Sequence, residues 1–318
     1  MCLATTYADS RADTNRPRRR RRPLRLGFGG LGLSLLLAAC GSGSSTATPA
    51  AHSTGAAHHS GDVDVLSAGS LDTLLTQKVG PAFHAATGYT LVDTSGGSGT
   101  LAADIRNRTT VADVFLSASP KVDSTLQGAQ NGNWVHWYAD FATSPYVLAY
   151  APQSRFASAL KSRPWYKVIT MSGFRLGRTD PTQDPGGVLA VQALTQTAAA
   201  QHEPTLAHLA SETSDVYQET AEQSGIENGQ LDASFMYLAD ANSQHSPSVP
   251  LTGTHLEGHY TITELNHAPH SAAAQAFIAF LVGPQGQALL RGSQFGVTSP
   301  AVVHGSGVPA ALRTALGR

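Results

Sequence analysis

Hydrophobic positions along this chain recur with two different periods. Residues 63–68 (VDVLSA) read as a short strand. Leu71, Leu74, Leu75, Val79 and Phe83 then fall at the spacing of one helix face, and Gly88 closes the segment. Pro81 lies inside it, where it removes a backbone donor, so a kink or break is expected there. Residues 90–93 read as the next strand, and 101–106 begin a helix after a glycine-rich turn. The run ADVFLSA at 112–118 is apolar enough for a buried strand. Further strands are expected at 146–150, 174–177, 235–238 and 259–264. Further helices are expected at 188–200, which is alanine-rich, at 272–281 and at 285–291. Strands alternating with helices, without an internal repeat, predict an α/β fold with largely parallel sheets.

The first sixty residues follow another pattern. Eight arginines precede position 30, five of them consecutive at 18–22, and an apolar stretch of fourteen residues follows at 26–39. A basic segment before an apolar one of that length is a secretory signal, too short to span a membrane. Its end, Leu37-Ala38-Ala39-Cys40, resembles the bacterial lipobox, which implies cleavage before Cys40 and acylation of its sulfur. The RRPL at 21–24 also hints at twin-arginine export. Residues 1–39 are thus expected to be a signal peptide, and 40–61 a lipidated cysteine with a flexible Gly/Ser/Ala linker. The linker histidines His52, His58 and His59 are read as solvated. The expected location is extracytoplasmic, anchored to the outer face of the cell membrane through Cys40.

Removing that signal changes the charge. The whole chain has a net charge of −1; without residues 1–39, 13 basic side chains face 20 acidic ones. No basic patch survives, which argues against nucleic acid as a partner. An anion bound here must be held locally, by dipoles and hydroxyls, against the overall field. The two cysteines are Cys2 and Cys40, so the mature domain has no disulfide, cysteine nucleophile, cysteine-ligated zinc or iron–sulfur cluster. No cofactor is expected. About 257 residues remain, ample for one large or two medium lobes.

Three strand-to-helix junctions share one design. Ala68-Gly69-Ser70-Leu71 opens the first helix, SGGSGT at 95–100 the second, and DPTQDPGG at 180–187 the alanine-rich one. Each places hydroxyls or free backbone N–H groups at a helix N-terminus, which carries about half a positive charge and suits an anion. Taken singly, serine is also just a good N-cap and glycine a good turn residue.

The segments VLSAGSL, SGGSGTLAADI, ADVFLSASP, GRTDPTQDPGG, IENGQLDASFMY and FIAFLVGPQGQALL, in that order, are similar to the molybdate/tungstate-binding proteins of ABC importers. The resemblance runs from about residue 63 to about 300. It implies the two-lobed type II periplasmic-binding-protein fold with two hinge strands. Lobe 1 would be 62–147 plus 259–318, lobe 2 148–258, and the hinge crossings 146–150 and 260–264. It implies a monomeric protein that is not an enzyme and that hands an oxyanion to a membrane permease. Carried over by position, Ser70 and Ser98 would donate to the oxyanion, with Gly99 and Gly186 at the same helix ends. In the tungstate/molybdate branch two carboxylates coordinate the metal, and these fall on Asp184 and Glu227. The branch's Gly-Tyr-Arg is absent, since Val188 and Leu189 follow Gly187, and residues 201–224 have no clear counterpart.

Other candidates have simpler readings. Asp180 is a turn residue and the alternative to Asp184 as ligand; Arg175 and Arg178 are candidate anion holders. His255, His259, His267 and His270 lie within sixteen residues, yet their Gly- and Pro-rich surroundings are loop-like rather than a helical zinc site. Trp134, Trp137 and Tyr138 are read as packing. Two other function classes compete: a hydrolase using Ser70 or Ser98, for which no Gly-x-Ser-x-Gly elbow is present, and a lipoprotein sensor or adhesin without a transported ligand.

Overall fold

A computed structural model describes residues 61–318. The signal segment, Cys40 and the linker lie outside the described residues. The chain opens with β1 (Asp62–Ala68), whose Val63 and Val65 are fully buried, and passes through a 3-10 turn into α1 (Asp72–Leu74). A π-helical turn, Leu75–Val79, links α1 to α2 (Gly80–Thr87). This answers the expectation at Pro81, which sits at the start of α2. The chain absorbs the missing donor in a wider turn rather than breaking, and Leu71, Leu74, Leu75, Val79 and Phe83 all remain buried. Phe83 packs edge-on against Phe277 and Phe280, 5.4 and 5.6 Å between ring centres. Burying a side chain of that size contributes about 1.5–3 kcal/mol.

There follow β2 (Thr90–Gly96), α3 (Ser98–Asn107), β3 (Val114–Ser117), α4 (Pro120–Ser124) and the fourteen-residue β4 (Trp137–Tyr150). α5 (Ala157–Ser162), α6 (Trp165–Ile169), β5 (Leu176–Thr179), α7 (Pro185–Gln201) and α8 (Pro204–Ser211) come next. After them run β6 (Val216–Tyr217), α9 (Glu219–Glu227), β7 (Ala233–Tyr237), α10 (Leu238–Ser243) and β8 (Ser248–Pro250). The chain finishes with β9 (Glu257–Glu264), α11 (Ser271–Val282), α12 (Pro284–Gly292) and β10 (Gly296–Gly305).

β4 organises the sheet. Ala139 to Pro145 pair antiparallel with β9, while Tyr146 to Tyr150 pair antiparallel with β7. One strand thus serves two sets of neighbours. On its first half lie β9, β3, β1 and β2 on one side and β10 on the other; on its second half lie β7, β5 and β6, with β8 opposite. The partner change falls at Pro145, which has no N–H to donate. The chain returns between β8 and β9, and all of β9 belongs to the first set. Within each set the strands feeding the helices are parallel: β1 with β2 and β3, β5 with β6 and β7.

Candidate functional site

Parallel strands point their carboxyl ends the same way, so the junctions that follow them gather at one edge, where open α/β sheets bind ligands. Here the ends of β1, β2, β5, β6 and β7 surround a single cleft of about 260 Å³. Gly69, Asp72, Ser95, Gly97 and Thr100 line it from one side; Thr179, Gln183, Asp184, Glu219 and Asp240 line it from the other.

The two sides touch. The Thr100 backbone N–H donates to the Gln183 carbonyl at 3.2 Å. A Cβ on Gly99 would lie 2.7 Å from that carbonyl oxygen, so only glycine allows the approach. Likewise, a Cβ on Gly69 would lie 2.0 Å from Glu219 Oε2, so the Glu219 carboxyl lies directly over the first glycine loop.

Electrostatically the cleft is unusual for an anion site. Asp72, Asp180, Asp184, Glu219 and Asp240 line it, with Glu222 at its deep end, and no Lys, Arg or His is among the lining residues. Burial pushes the Asp184 carboxyl up and carries Asp240 to about 8. Burial again, then the neighbouring Asp184 and Asp240 charges, raise Glu219 well above the carboxylate range. Glu222 is raised by burial, although it accepts the Ser234 hydroxyl. Tyr146 and Tyr237 floor the site, and Tyr260 lies outside its lining. Tyr146 donates to the Gly186 carbonyl at 2.7 Å and Tyr260 to Ser70 Oγ at 2.9 Å, while the buried Tyr237 hydroxyl has no partner.

The model of the family described as "Bacterial extracellular solute-binding protein" matches residues 63–295. The chain belongs to this family. It is 27% identical over 294 residues to an uncharacterized solute-binding protein of Halobacterium salinarum, covering 83% of this chain and 93% of that protein. It is 22% identical over 226 residues to the molybdate/tungstate-binding protein WtpA of Thermococcus kodakarensis, covering 55% of this chain and 64% of that protein. In structure it resembles the Azotobacter vinelandii periplasmic molybdate-binding protein, with a TM-score of 0.57 and 21% identity over 74% of this chain and all of that one. The fold is that of type II periplasmic binding proteins, as the resemblance in sequence implied.

For a solute-binding protein of this kind, the expected ligand residues divide unevenly. Asp184 lines the cleft as N-cap of α7, and Gly186 lines its deep end beside Asp184 Oδ2. Gly99 is a contact point between the sides. Neither Ser70 nor Ser98 lines the cleft: Ser70 lines a neighbouring pocket with Lys78 and Ser293, its Oγ accepting from Tyr260, and the fully buried Ser98 Oγ accepts the Ala118 N–H at 3.1 Å. Each serine O–H still has its own hydrogen to donate.

Glu227 needs correction. It is exposed at the far end of α9, outside the cleft, and its backbone carbonyl accepts from Gln153. Eight residues separate it from Glu219, about 12 Å along a helix. The acid that faces Asp184 is therefore Glu219, at the start of α9, with Glu222 one turn on.

Asp180 caps its own turn through the Thr182 N–H and hydroxyl, both at 2.8 Å, which hold its carboxyl below the usual range. Arg175 clamps Asp232, and the buried Arg178 faces Asp215 and the Glu212 carbonyl, so neither lines the cleft. His259 lies near Glu257 and His270 bonds Asp113, which separates them rather than building one zinc site. Sequence reasoning missed Glu219, Glu222, Asp240 and the two tyrosines of the floor. A signal existed for Glu219: Tyr217-Gln218-Glu219 is a fourth strand-to-helix junction.

Proposed function

We propose that this protein captures molybdate or tungstate in the cleft and delivers it to an ABC permease, while acylated Cys40 holds it at the outer face of the membrane. Lobe 1 is assigned to 62–147 plus 259–318 and lobe 2 to 148–258, with β4 as one crossing. The observation that carries the reading is the meeting of Asp184 and Glu219 at the helix ends of the Gly69 and Gly97–Gly99 loops. Helix ends and hydroxyls suit any tetrahedral dianion, sulfate included. Two carboxylates would repel one, unless their oxygens bond its central atom. Molybdenum and tungsten can expand from four to six oxygen ligands, and the sulfur of sulfate cannot readily do so. The acids then admit metal oxyanions and reject sulfate. The similarity to WtpA supports this ligand class.

A second reading, a hard metal cation as cargo, is favoured by the carboxyl groups of the lining and the hydroxyls of Tyr146 and Tyr237, with no Lys, Arg or His beside them. One panel decides. Tungstate, molybdate, sulfate, phosphate and ferric citrate are each titrated while thermal unfolding is followed. A ligand at a thousand times its Kd stabilises the folded form by about 4 kcal/mol. Stabilisation by tungstate and molybdate alone is expected; stabilisation by iron or phosphate without tungstate refutes the assignment.

A further inference from the structure

Glu219 faces Asp184 from the first residue of α9, so its place depends on what aims that helix. Further along, α9 is held by packing. Ile226 is buried in a cluster with Val147, Leu231 and Met236, and the Ser234 hydroxyl donates to Glu222. At its start, α9 follows Gln218 and the two-residue β6. β6 pairs with β5 through Arg178 opposite Val216 and Thr179 opposite Tyr217. Two paired residues are fewer than strands usually have, so the ladder by itself fixes little.

Arg178 adds the missing tie. Its side chain is buried, and its guanidinium reaches three points of the turn between α8 and β6. These are the Ala210 carbonyl at 3.4 Å, the Glu212 carbonyl, and the Asp215 carboxylate, Nε to Oδ2 at 3.4 Å. Its backbone N–H donates to the Asp215 carbonyl at 2.9 Å. Ala210 lies in the last turn of α8 and Glu212 is its C-cap, where a cation also meets the negative end of the helix dipole.

The pair is not arranged for stability. Arg178 Nε and Nη1 and both Asp215 side-chain oxygens are buried without a hydrogen-bond partner. In a buried ion pair bonded that loosely, desolvation offsets the attraction, and apolar residues of similar size are often neutral or stabilising in its place. What the pair contributes is geometry, because a planar guanidinium fork accepts few arrangements of its partners. The next residue on each strand lines the cleft: Thr179 after Arg178, and Tyr217 after Val216.

We propose that Arg178 is a positioning residue for Glu219. By holding the 210–215 turn against β5, it starts α9 where the Glu219 carboxyl lies over the Gly69 loop and faces Asp184. It thereby sets the preference for metal oxyanions over sulfate. Arg178 itself lies outside the cleft lining and acts through Glu219. The inference rests on the oxyanion reading, with Glu219 as ligand.

The test replaces both charges, Arg178→Met with Asp215→Leu, so that neither is left buried and unpaired. The purified full-length protein is titrated calorimetrically with sodium tungstate and with sodium sulfate, with Glu219 present and in a Glu219→Gln background. With Glu219 present, tungstate affinity is expected to fall about tenfold or more and sulfate affinity to stay equal or rise. In the Glu219→Gln background the same pair of changes is expected to leave tungstate affinity unaltered, the non-additivity that coupled residues show. Arg178→Lys keeps the charge and loses the fork. It is run the same way with the same expectation, and decides the matter if the double variant does not fold. An equal loss of tungstate affinity in both backgrounds, or a parallel loss of sulfate, means a merely structural role and overturns the inference. Wild-type tungstate affinity in the variants overturns it too, and leaves the oxyanion reading standing. If the wild type binds no tungstate, the oxyanion reading falls and this inference with it.

Discussion

Gly99→Ala separates closure from folding, because its two effects have opposite signs. Gly99 is in the first turn of α3 with no left-handed backbone requirement, so alanine is compatible with its conformation. Replacing glycine at such a position stabilises a fold by about 0.4–1 kcal/mol, through the unfolded chain. The cleft feels the reverse. The new methyl would meet Gln183 backbone oxygen at 2.7 Å, carbonyl carbon at 3.0 Å and Cα at 3.3 Å. These are backbone atoms of the opposite side, so no side chain can swing away, and the sides must part by several tenths of an ångström. Overpacking of this kind costs about 1–3 kcal/mol. The Thr100 hydrogen bond to the same carbonyl would lengthen from 3.2 Å, at a further cost of about 0.5–1.5 kcal/mol. Since 1.4 kcal/mol is tenfold in affinity, tungstate binding should weaken by about ten- to a thousandfold. Thermal unfolding of the free protein reports whether its two sides also touch without ligand: a lower temperature than wild type means that they do, and an equal or slightly higher one that the methyl meets Gln183 only on closure. Calorimetric titration and thermal unfolding of the same sample measure both. Wild-type affinity in a protein with an unchanged melting temperature would sink the argument that the two sides close on each other at Gln183.

Asp184→Asn with Glu219→Gln is expected to weaken tungstate binding by orders of magnitude and to leave sulfate binding equal or stronger, whereas Glu227→Gln should change neither; tungstate affinity unchanged in the double variant refutes the ligand assignment. Cys40→Ala should shift the protein from the membrane to the soluble or unprocessed fraction, and a wild-type N-terminal peptide without lipid mass refutes anchoring. Asp123, fully buried with one carboxylate oxygen unpartnered, is pushed up to about 8 by burial. The fold keeps its proton where the unfolded chain has lost it, so wild-type stability should fall from about pH 4 to about pH 8 and then level off. Asp123→Asn should lessen that slope by Asp123's own share, the other raised acids Asp240, Glu219 and Glu222 keeping theirs, and gain up to a few kcal/mol at pH 8; parallel stability–pH curves would contradict this.

The sequence was legible where the signal was local. α7 was expected at 188–200 and runs Pro185–Gln201, because an alanine-rich apolar face and a Pro-Gly-Gly start are both written in its own residues. β3, expected at 112–118, is Val114–Ser117, since a strand buried on both faces needs a continuous apolar run. β10 was missed for the opposite reason. None of its ten residues is buried, and it carries Pro300, so neither period shows. The first half of β4 was missed too: its partners β9 and β10 come from the far end of the chain, and nothing in its own residues names them.

The site divides along the same line. Glycine and serine at a helix start are a property of five consecutive residues, so the three junctions could be read directly. An acid that lines a cleft is a property of where its helix begins in space. Glu219 and Glu227 stand at opposite ends of one helix, and only one end opens into the cleft. β6, the strand that aims that end, is two residues long, too short to register as a period. A motif carried over by position selects a residue type within a window, and on a helix an error of eight residues is two turns. The loop at Gly69 shows the stronger constraint. Its missing side chain leaves room for one carboxylate, and that carboxylate belongs to Glu219. Even with the wrong glutamate, then, the glycine in Ala68-Gly69-Ser70 recorded that something would lie against it.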